Sequence, residues 1–504
     1  MGAGILLNAP DERPDERRHG FARMTEADSA SAQPHMDTPA VEPVAAMAED
    51  AMAKDAMAVD VLVIGGGPAG TTAATLLARK GWKVVLLEKG VHPRFHIGES
   101  LLPMNLPILE RLGVLEQVRE IGVFKPGADF PLQDDANSVN VFRFDRALNP
   151  QFPHAYQVKR EEFDLLLFRN AMENGVDARM QVAVEKVEFG ADGRPGTVHA
   201  RGAEGEALAF APRYLVDASG RDTFLGSKLK LKKKNALHQS AAIFSHFRGV
   251  ARREGPDAGN ITVERFPHGW MWLIPLRDDV MSVGAVCFPE YLKQRRGDNE
   301  ARSNETCPNE AFLMQTLQGT PSVWTRMQQA ERVAPVHVTG NYSYTCARMT
   351  GPGWVMVGDA YAFIDPVFSS GVYLGMNSAE QAADVVGGAL RDPASEPRLQ
   401  QAMEKRLKRG LKHFSWFIYR FTTPVMERLF ASPRNTFQVE QAVISMLAGD
   451  VFDNKPVLRR LRLFRLIYAF NALQLAPHAL RGWLRRKRQI GETFGGDTLQ
   501  EGNP

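Results

Sequence analysis

The order of apolar and polar residues predicts alternating strands and helices near the start of the chain. The run VDVLVIGGGPAG is an apolar strand that leads into a glycine turn, TTAATLLARKG continues as a helix ending at Gly81, and WKVVLLEKG is a second apolar strand. Apolar runs of this kind are typical of parallel strands, which are buried on both faces. The order strand, helix, strand therefore predicts a doubly wound α/β fold with a parallel sheet.

The middle of the chain has a different pattern. Residues 125–155 and 225–340 contain shorter alternating strands separated by Gly and Pro, which is typical of an antiparallel sheet. We expect this sheet to be inserted into the first domain and to carry the substrate. The run GPGWVMVGDA predicts one more buried strand, followed by a loop and a helix near 371–390.

The two ends of the chain differ from the rest. Residues 1–57 are rich in Ala, Met, Asp, Glu and Pro and lack a periodic pattern, which predicts a disordered extension. Several methionines in it leave the natural start open. From residue 396 the pattern is helical and increasingly basic, so the predicted organisation is an extension, an interleaved domain over 58–395, and a basic helical region over 396–504.

Composition excludes several classes of protein. A net charge of +3 on 504 residues indicates no general preference for nucleic acid. The three cysteines, Cys287, Cys307 and Cys346, have neither metal-site spacing nor a disulfide pattern, which suits a reducing cytoplasm and predicts no metal. No apolar run is long enough to span a bilayer, and the first residues lack the apolar core of a signal peptide. We therefore expect a soluble, cytoplasmic protein.

The glycine turn has the spacing of a dinucleotide-binding motif. Gly65, Gly67 and Gly70, with Ala69 between them, form G-x-G-x-x-G between a strand and a helix. Such glycines permit a tight turn and the close approach of a pyrophosphate to helix amides. Glu88 closes the second strand, where an acid binds an unphosphorylated ribose. The motif predicts FAD or NAD, and the alternative is a chance glycine turn.

Two later strand-and-turn segments distinguish these cofactors. YLVDASG places Asp217, and VMVGDAYAFIDP places Gly358 and Asp359, just past a strand, where a carboxylate can bind a ribityl hydroxyl. Either Asp could instead be an ordinary turn residue. With the glycine motif, they resemble the FAD fingerprints of glutathione-reductase-type flavoproteins in the aromatic-hydroxylase branch. QVKREEFDLLL resembles that branch's Arg-x-x-Phe-Asp helix, which implies that Arg160 lies near FAD. With one G-x-G-x-x-G, a second, NAD(P)H-binding domain is not expected.

The segment GWMWLIP contains two tryptophans on one face of a strand. Trp270, Trp272 and Ile274 project together because alternate side chains share a face, and core packing is the simplest explanation. The segment is similar to the Trp-x-Trp-x-Ile-Pro signature of FAD-dependent halogenases, the tryptophan-halogenase family. The likeness continues through DPVFSSGVYLG and through RFHIGESLLP, a flavin-covering loop that contains Glu99 and Ser100. It implies that Trp270 and Trp272 form a wall between flavin and organic substrate.

The resemblance also implies a halide site beside Ser370 and Gly371. These residues enter a predicted helix, whose N-terminal amides favour an anion, although Ser370 could also act as an N-cap. Free-tryptophan halogenases carry a Glu where this chain has Phe368. The difference resembles the branch that acts on phenols and pyrroles, often tethered to a carrier protein, and it leaves the acceptor of the ring proton unidentified.

Lys125 is the candidate that would hold hypohalous acid. In the halogenase family a lysine follows the Gly-Glu-Ser loop by a few tens of residues, and here Lys125 lies 25 positions after Ser100. The sequence KPGADF is also similar to the Lys-x-Gly-Ala-x-Phe pattern of the phenol and pyrrole branch. An amine in an apolar pocket has a lowered pKa and can hydrogen-bond the acid or form a chloramine. The alternative is a solvated surface lysine.

The resemblance implies a two-component, FADH2-dependent halogenase. It would use O2 and chloride or bromide to make hypohalous acid and would halogenate an electron-rich phenol or pyrrole, free or on an acyl or peptidyl carrier protein. A separate flavin reductase would be its partner. The alternatives are an aromatic monooxygenase or prenyl reductase on the same fold, or an inactive flavin-binding scaffold.

A basic surface near the C-terminus is a candidate docking site. Ten Lys or Arg and no acids lie between Asp453 and Glu492. Such a surface could dock an acidic carrier protein or an anionic membrane, or it could be a solvated helix face.

Overall fold

The computed structural model describes residues 56–132, 135–235, 240–292, 308–340 and 343–474. Nearly all of the predicted extension, and the end of the predicted basic region, lie outside the described residues. The first strand begins at Met57, one residue before the predicted start of the interleaved domain. No helix in the described ranges has the length and apolar composition needed to cross a membrane.

A mostly parallel sheet forms the base of the fold. With strands numbered in chain order, it contains β1 (Met57–Ile64), β2 (Val84–Glu88), β7 (Asp177–Met180), β8 (Ala183–Phe189), β9 (Pro195–Arg201), β10 (Ala207–Asp217), β19 (Thr350–Gly351) and β20 (Trp354–Met356). The order is β19-β20-β10-β1-β2-β7, and β1 pairs in parallel with β2 and β10. The predicted strand, helix, strand unit is therefore present.

A second sheet is built from the middle of the chain. It contains β4 (Gly127–Leu132), β5 (Asp135–Arg143), β12 (Ala241–Arg248), β13 (Ile261–Phe266), β14 (Gly269–Pro275), β15 (Val280–Cys287), β16 (Glu331–Arg332) and β17 (His337–Thr339). The order is β16-β12-β15-β14-β13-β4-β5, with β17 beside β12. Neighbouring strands are antiparallel except β13 and β4, which pair in parallel. Smaller ladders join β3 (Gly122–Lys125) to β6 (Ala155–Val158), and β11 (Lys232–Lys234) to β18 (Tyr344–Cys346) and β21 (Ala362–Phe363).

Helices connect the strands and make up most of the described C-terminal region. They are α1 (Pro68–Ala78), α2 (Leu106–Arg111), α3 (Leu115–Ile121), α4 (Arg160–Glu173), α5 (Phe224–Lys228), α6 (Pro308–Gln318), α7 (Pro321–Arg326), α8 (Gly371–Arg391), α9 (Glu396–Ile418), α10 (Pro424–Ala431), α11 (Val439–Leu447) and α12 (Lys455–Gln474). Helix α8 matches the helix predicted near 371–390. Helices α6 and α7 fall within 225–340, where the sequence predicted alternating strands, so that prediction was wrong there.

Strand β14 separates two parts of the core. Trp270, Trp272 and Ile274 belong to the cluster that includes the first sheet, whereas Met271 and Leu273 pack into a second cluster with α6 and α7. All seven residues of β14 are buried, because each face of this strand packs against protein. The three-residue face predicted from the alternating pattern therefore belongs to the same cluster as the first sheet.

Candidate functional site

A cavity of about 490 Å³ lies at the carboxyl ends of β1, β2, β10 and β20 and extends to β14. In open α/β sheets this edge is where ligands bind. The predicted site residues that border it are Gly65, Gly67, Ala69, Glu88, Glu99, Ser100, Arg160, Trp270, Trp272, Gly358, Asp359 and Gly371. The structure thus brings together residues that are dispersed over most of the described chain. The other predicted site residues lie behind this lining: Gly70, Lys125, Asp217 and Ser370.

The glycine turn leaves room for a ligand at one position and none at another. Gly65 has φ of +102°, which favours glycine. A Cβ on Gly70 would lie 1.8 Å from the Gly65 carbonyl oxygen, whereas a Cβ on Gly67 would meet nothing within 4 Å. Gly67 is also the N-cap of α1. Gly65 and Gly70 therefore allow the turn itself, and Gly67 leaves open space beside the helix N-terminus.

Glu88 is fixed at the end of β2. Its carboxylate accepts hydrogen bonds from the backbone N–H groups of Gly66 at 2.7 Å and Gly90 at 2.8 Å. Burial opposes ionisation, but the Arg94 guanidinium and these amides outweigh it and lower the pKa of Glu88. The cavity therefore has an ionised carboxylate at the position predicted to bind a ribose.

The two later aspartates occupy different positions. Asp359 borders the cavity, and burial raises its pKa to about 6. Asp217 does not border it, because its carboxylate is fully buried and accepts hydrogen bonds from Ser219 N at 2.9 Å and Leu225 N at 2.7 Å. This is the turn-residue alternative stated above. Asp217 therefore shapes the loop after β10, and the loop itself borders the cavity.

Arg160 ties the loop at residues 94–103 to α4. Its guanidinium donates to both carboxylate oxygens of Asp164, at 2.7 and 2.9 Å, and to the carbonyl oxygen of Ile97 at 2.6 Å. Since Ile97 precedes the Gly-Glu-Ser sequence, Arg160 fixes the start of that loop at the cavity edge.

The indole wall, Trp270 and Trp272, is held by hydrogen bonds that sequence reasoning missed. The Trp270 indole N–H donates to Asp365 Oδ1 and the Trp272 indole N–H donates to Ser282 Oγ, each at 3.1 Å. The ring centroids are 5.8 Å apart. Buried indole N–H groups usually find an acceptor, and Asp365 lies in the quoted DPVFSSGVYLG segment. Pairing it with Trp270, 95 positions away, required the fold.

If Trp270 and Trp272 separate a flavin from an organic substrate, as the resemblance implies, removal of one indole should uncouple flavin oxidation from halogenation. We expect Trp270→Ala or Trp272→Ala to retain FAD but to release more hydrogen peroxide per halogenated product, because the wall is opened. Each change also removes core packing worth about 3–5 kcal/mol, so Trp354→Ala, a buried tryptophan outside the cavity lining, is the control. Wild-type ratios of peroxide to product in both wall variants would show that the indoles only fill the core.

Lys125 is buried directly behind the cavity lining. The residue is 1% exposed, and its ammonium group donates to Ser100 Oγ and to the Leu101 carbonyl oxygen, both at 2.8 Å. The Phe144 ring centroid is 5.4 Å from Nζ. Burial lowers the pKa of Lys125 to about 7, so a large fraction of the amine is neutral near physiological pH. The solvated-lysine alternative is therefore wrong.

Ser370 provides an unpaired hydroxyl at the start of α8. It occupies the N-cap position but makes no side-chain cap hydrogen bond, and its fully buried Oγ has no hydrogen-bond partner among the described residues. Ser369, which precedes it, has φ of +56°, and Gly371, which follows it, borders the cavity. The helix amides and this hydroxyl form a donor site suited to an anion.

The chain is similar to flavoproteins and halogenases over most of its length. Residues 58–416 match the family described as FAD binding domain. Tryptophan 2-halogenase of Chondromyces crocatus is 36% identical over 64% of this chain, and the aligned part spans 60% of that protein, less than two thirds of its length. The 1H-pyrrole-2-carbonyl-(peptidyl-carrier protein) chlorinase of Pseudomonas fluorescens is 28% identical over 78% of this chain and 90% of that protein.

A solved structure shows the same fold. The myxobacterial chondrochloren halogenase CndH, described as a variant of FAD-dependent halogenases, superposes with a TM-score of 0.66 and 30% identity over 82% of this chain and 97% of that chain.

Proposed function

Because the chain belongs to the flavin-dependent halogenases of the FAD binding domain family, we propose that it is a two-component halogenase that uses reduced FAD, O2 and a halide. The observation that carries this proposal is the position of Lys125. A buried amine with a pKa near 7 hydrogen-bonds a loop residue of the cavity, Ser100.

The residues of the cavity fit FAD. Open space at Gly67 beside the N-terminus of α1 suits a pyrophosphate, and Glu88 suits the adenosine ribose. Asp359, Arg160 and the indole wall border the same cavity. When bound in its reduced form, FAD would supply two electrons, and the halide two more, for the four-electron reduction of O2, which yields water and hypohalous acid.

The protein's own groups then bind and orient the reactants. The Ser370 hydroxyl and the amides at the start of α8 hold the halide. The indole wall separates the cavity from the organic substrate. Lys125 holds the hypohalous acid through its amine and directs the electrophilic halogen to the ring. The O–X bond breaks, the ring hydrogen leaves as a proton, and the oxygen of the acid leaves as water. This order of contacts keeps an indiscriminate oxidant bound until it reacts.

We propose an electron-rich phenol or pyrrole as the substrate, free or on a carrier protein. Phe368, in place of a Glu, supports this class, and the Pseudomonas relative is named for a pyrrole on a peptidyl carrier protein. Because the Chondromyces relative is named a tryptophan halogenase, tryptophan should be included among the substrates tested.

A basic stripe on α12 supports docking of an acidic carrier protein. Lys455, Arg459 and Arg462 are exposed at helical spacing. Arg485, Arg486 and Arg488, which the sequence also suggests for docking, lie outside the described residues. The halogenation rates on free and carrier-bound substrate, each measured at low and high salt, test this partner. Because screening weakens charge-based docking, high salt should lower the rate on the carrier-bound substrate more than the rate on the free one.

The proposed function predicts dependence on a flavin reductase. The purified protein with FAD and NADH should oxidise little NADH. Its single glycine motif belongs to the FAD site, so a second motif of this kind is not available to bind NADH. Addition of a flavin reductase, chloride or bromide, and a panel of phenols, pyrroles and tryptophan should give halogenated product. Rapid NADH oxidation by the protein alone, coupled to hydroxylation, would support the monooxygenase alternative instead.

A further inference from the structure

Glu99 has a carboxylate oxygen that lacks a partner at the edge of the cavity. The side chain is 1% exposed and borders the cavity. Its Oε1 lies 2.8 Å from His246 Nε2, whereas its Oε2 is buried without a hydrogen-bond partner among the described residues. A buried acceptor with no donor is costly, and such atoms are rare in folded proteins. The arrangement therefore fits a ligand that brings a donor to Oε2.

His246 keeps the carboxylate oriented. It lies on β12 and contacts the Phe95 ring edge-on at a centroid distance of 5.4 Å. Burial opposes protonation, but the hydrogen bond and charge of Glu99 outweigh it and raise the pKa of His246. A protonated imidazole can only donate to Oε1, which leaves Oε2 for another donor. The backbone is fixed as well, because Val158 N–H donates to the Glu99 carbonyl oxygen at 2.8 Å.

The partner of Glu99 is linked to the indole wall through Phe95 and Phe244, because Phe95 contacts His246 and Phe244, and Phe244 contacts Trp272. The glycine turn and Glu88 account for the pyrophosphate and adenosine. Glu99 instead precedes Ser100, the hydrogen-bond partner of Lys125, and borders the same cavity as the indole wall. A ring bound between these groups would bring its polar edge within reach of Glu99.

Oxidised and reduced flavin differ in what they offer an acceptor. Two ring nitrogens that are acceptors in the oxidised ring become N–H donors on two-electron reduction. A fixed carboxylate oxygen therefore gains a hydrogen bond with the reduced ring and faces a lone pair with the oxidised ring. Charge-assisted hydrogen bonds of this kind are about twice as strong as neutral ones.

Resting on the proposed function, we propose that Glu99, positioned by His246, makes the site select reduced FAD over oxidised FAD. A two-component enzyme must take up FADH2 and release FAD in every turnover, and this contact favours both steps. The role is one of cofactor discrimination and is separate from the chemistry of Lys125.

The test is the ratio of the dissociation constants for oxidised and reduced FAD, measured anaerobically for each variant. We expect wild type to bind the reduced form at least tenfold more tightly. Glu99→Gln keeps the size of the side chain but offers an amide that can donate to the oxidised ring, so the ratio should fall at least tenfold. The midpoint potential of bound flavin should then fall by about 30 mV per tenfold change. An unchanged ratio in a folded Glu99→Gln protein would overturn the proposal.

Two further variants separate this result from general damage. Glu88→Gln, at the other end of the cavity, should weaken binding of both redox forms equally and leave the ratio unchanged. His246→Gln should reduce the ratio without removing the acid. This variant keeps the test informative if Glu99→Gln does not fold. An unaltered ratio in His246→Gln would also count against the proposal. Failure of wild type to bind either form of FAD would contradict the proposed function itself.

Discussion

Lys125→Ala is expected to reduce halogenation about a thousandfold or more while FAD binding and oxidation of reduced flavin continue. A loss of that size corresponds to about 4 kcal/mol of transition-state stabilisation. The reason is that Lys125 Nζ is the buried amine next to the loop that borders the cavity, with Ser100 Oγ 2.8 Å away. Product analysis by mass spectrometry, together with oxygen consumption, measures both halves of the prediction.

Two controls distinguish the chemistry of the amine from its packing. Lys125→Arg should also fail, because a guanidinium stays charged and cannot form a chloramine. In the wild type, product formation should rise as the pH passes about 7, since burial lowers the pKa of Lys125 to that range and the neutral amine predominates above it. Near-wild-type halogenation by Lys125→Ala would show that the assignment is wrong.

Gly70→Ala is expected to abolish FAD binding and to lower the melting temperature. Its Cβ would lie 1.8 Å from the Gly65 carbonyl oxygen, a backbone atom that the turn cannot move aside. Gly67→Ala is the matched control, because a Cβ there meets nothing within 4 Å and φ is −78°. It should leave the melting temperature unchanged yet weaken FAD binding by filling the space left for pyrophosphate.

Calorimetry and flavin fluorescence titration measure these two effects separately. Equal FAD affinity in Gly67→Ala and wild type would show that the cofactor does not approach the turn closely. Normal stability and FAD affinity in Gly70→Ala would contradict the steric account of the motif.

Local patterns predicted the elements that follow from neighbouring residues. The glycine turn, the strand that ends at Glu88, the shared face of Trp270 and Trp272, and the helix near 371–390 each depend on spacing within one segment. The parallel pair of β13 and β4 could not be predicted in this way, because it joins segments more than a hundred positions apart. Periodicity also failed at α6 and α7, since short apolar helices resemble strands.

For the candidate site as well, the sequence predicted single residues but not the contacts between distant ones. Lys125 and Ser100 were both selected from sequence, but their hydrogen bond came from the fold. Glu99 was selected without its partner His246, which is 147 positions away. Asp217 was selected for a ligand contact, whereas two backbone amides take its carboxylate. Sequence patterns thus identified chemically capable residues, and tertiary contacts determined which of them border the cavity.

The proposed function requires that this chain transfer halogen, held by Lys125, to an aromatic ring. The most direct measurement is mass spectrometry of the product formed by the purified protein with a flavin reductase, NADH, FAD, O2 and a mixture of chloride and bromide. Wild type should give products with the paired isotope peaks of chlorine or bromine, and Lys125→Ala should give none while it still consumes O2. A product that contains added oxygen and no halogen, formed equally by both proteins, would contradict the account.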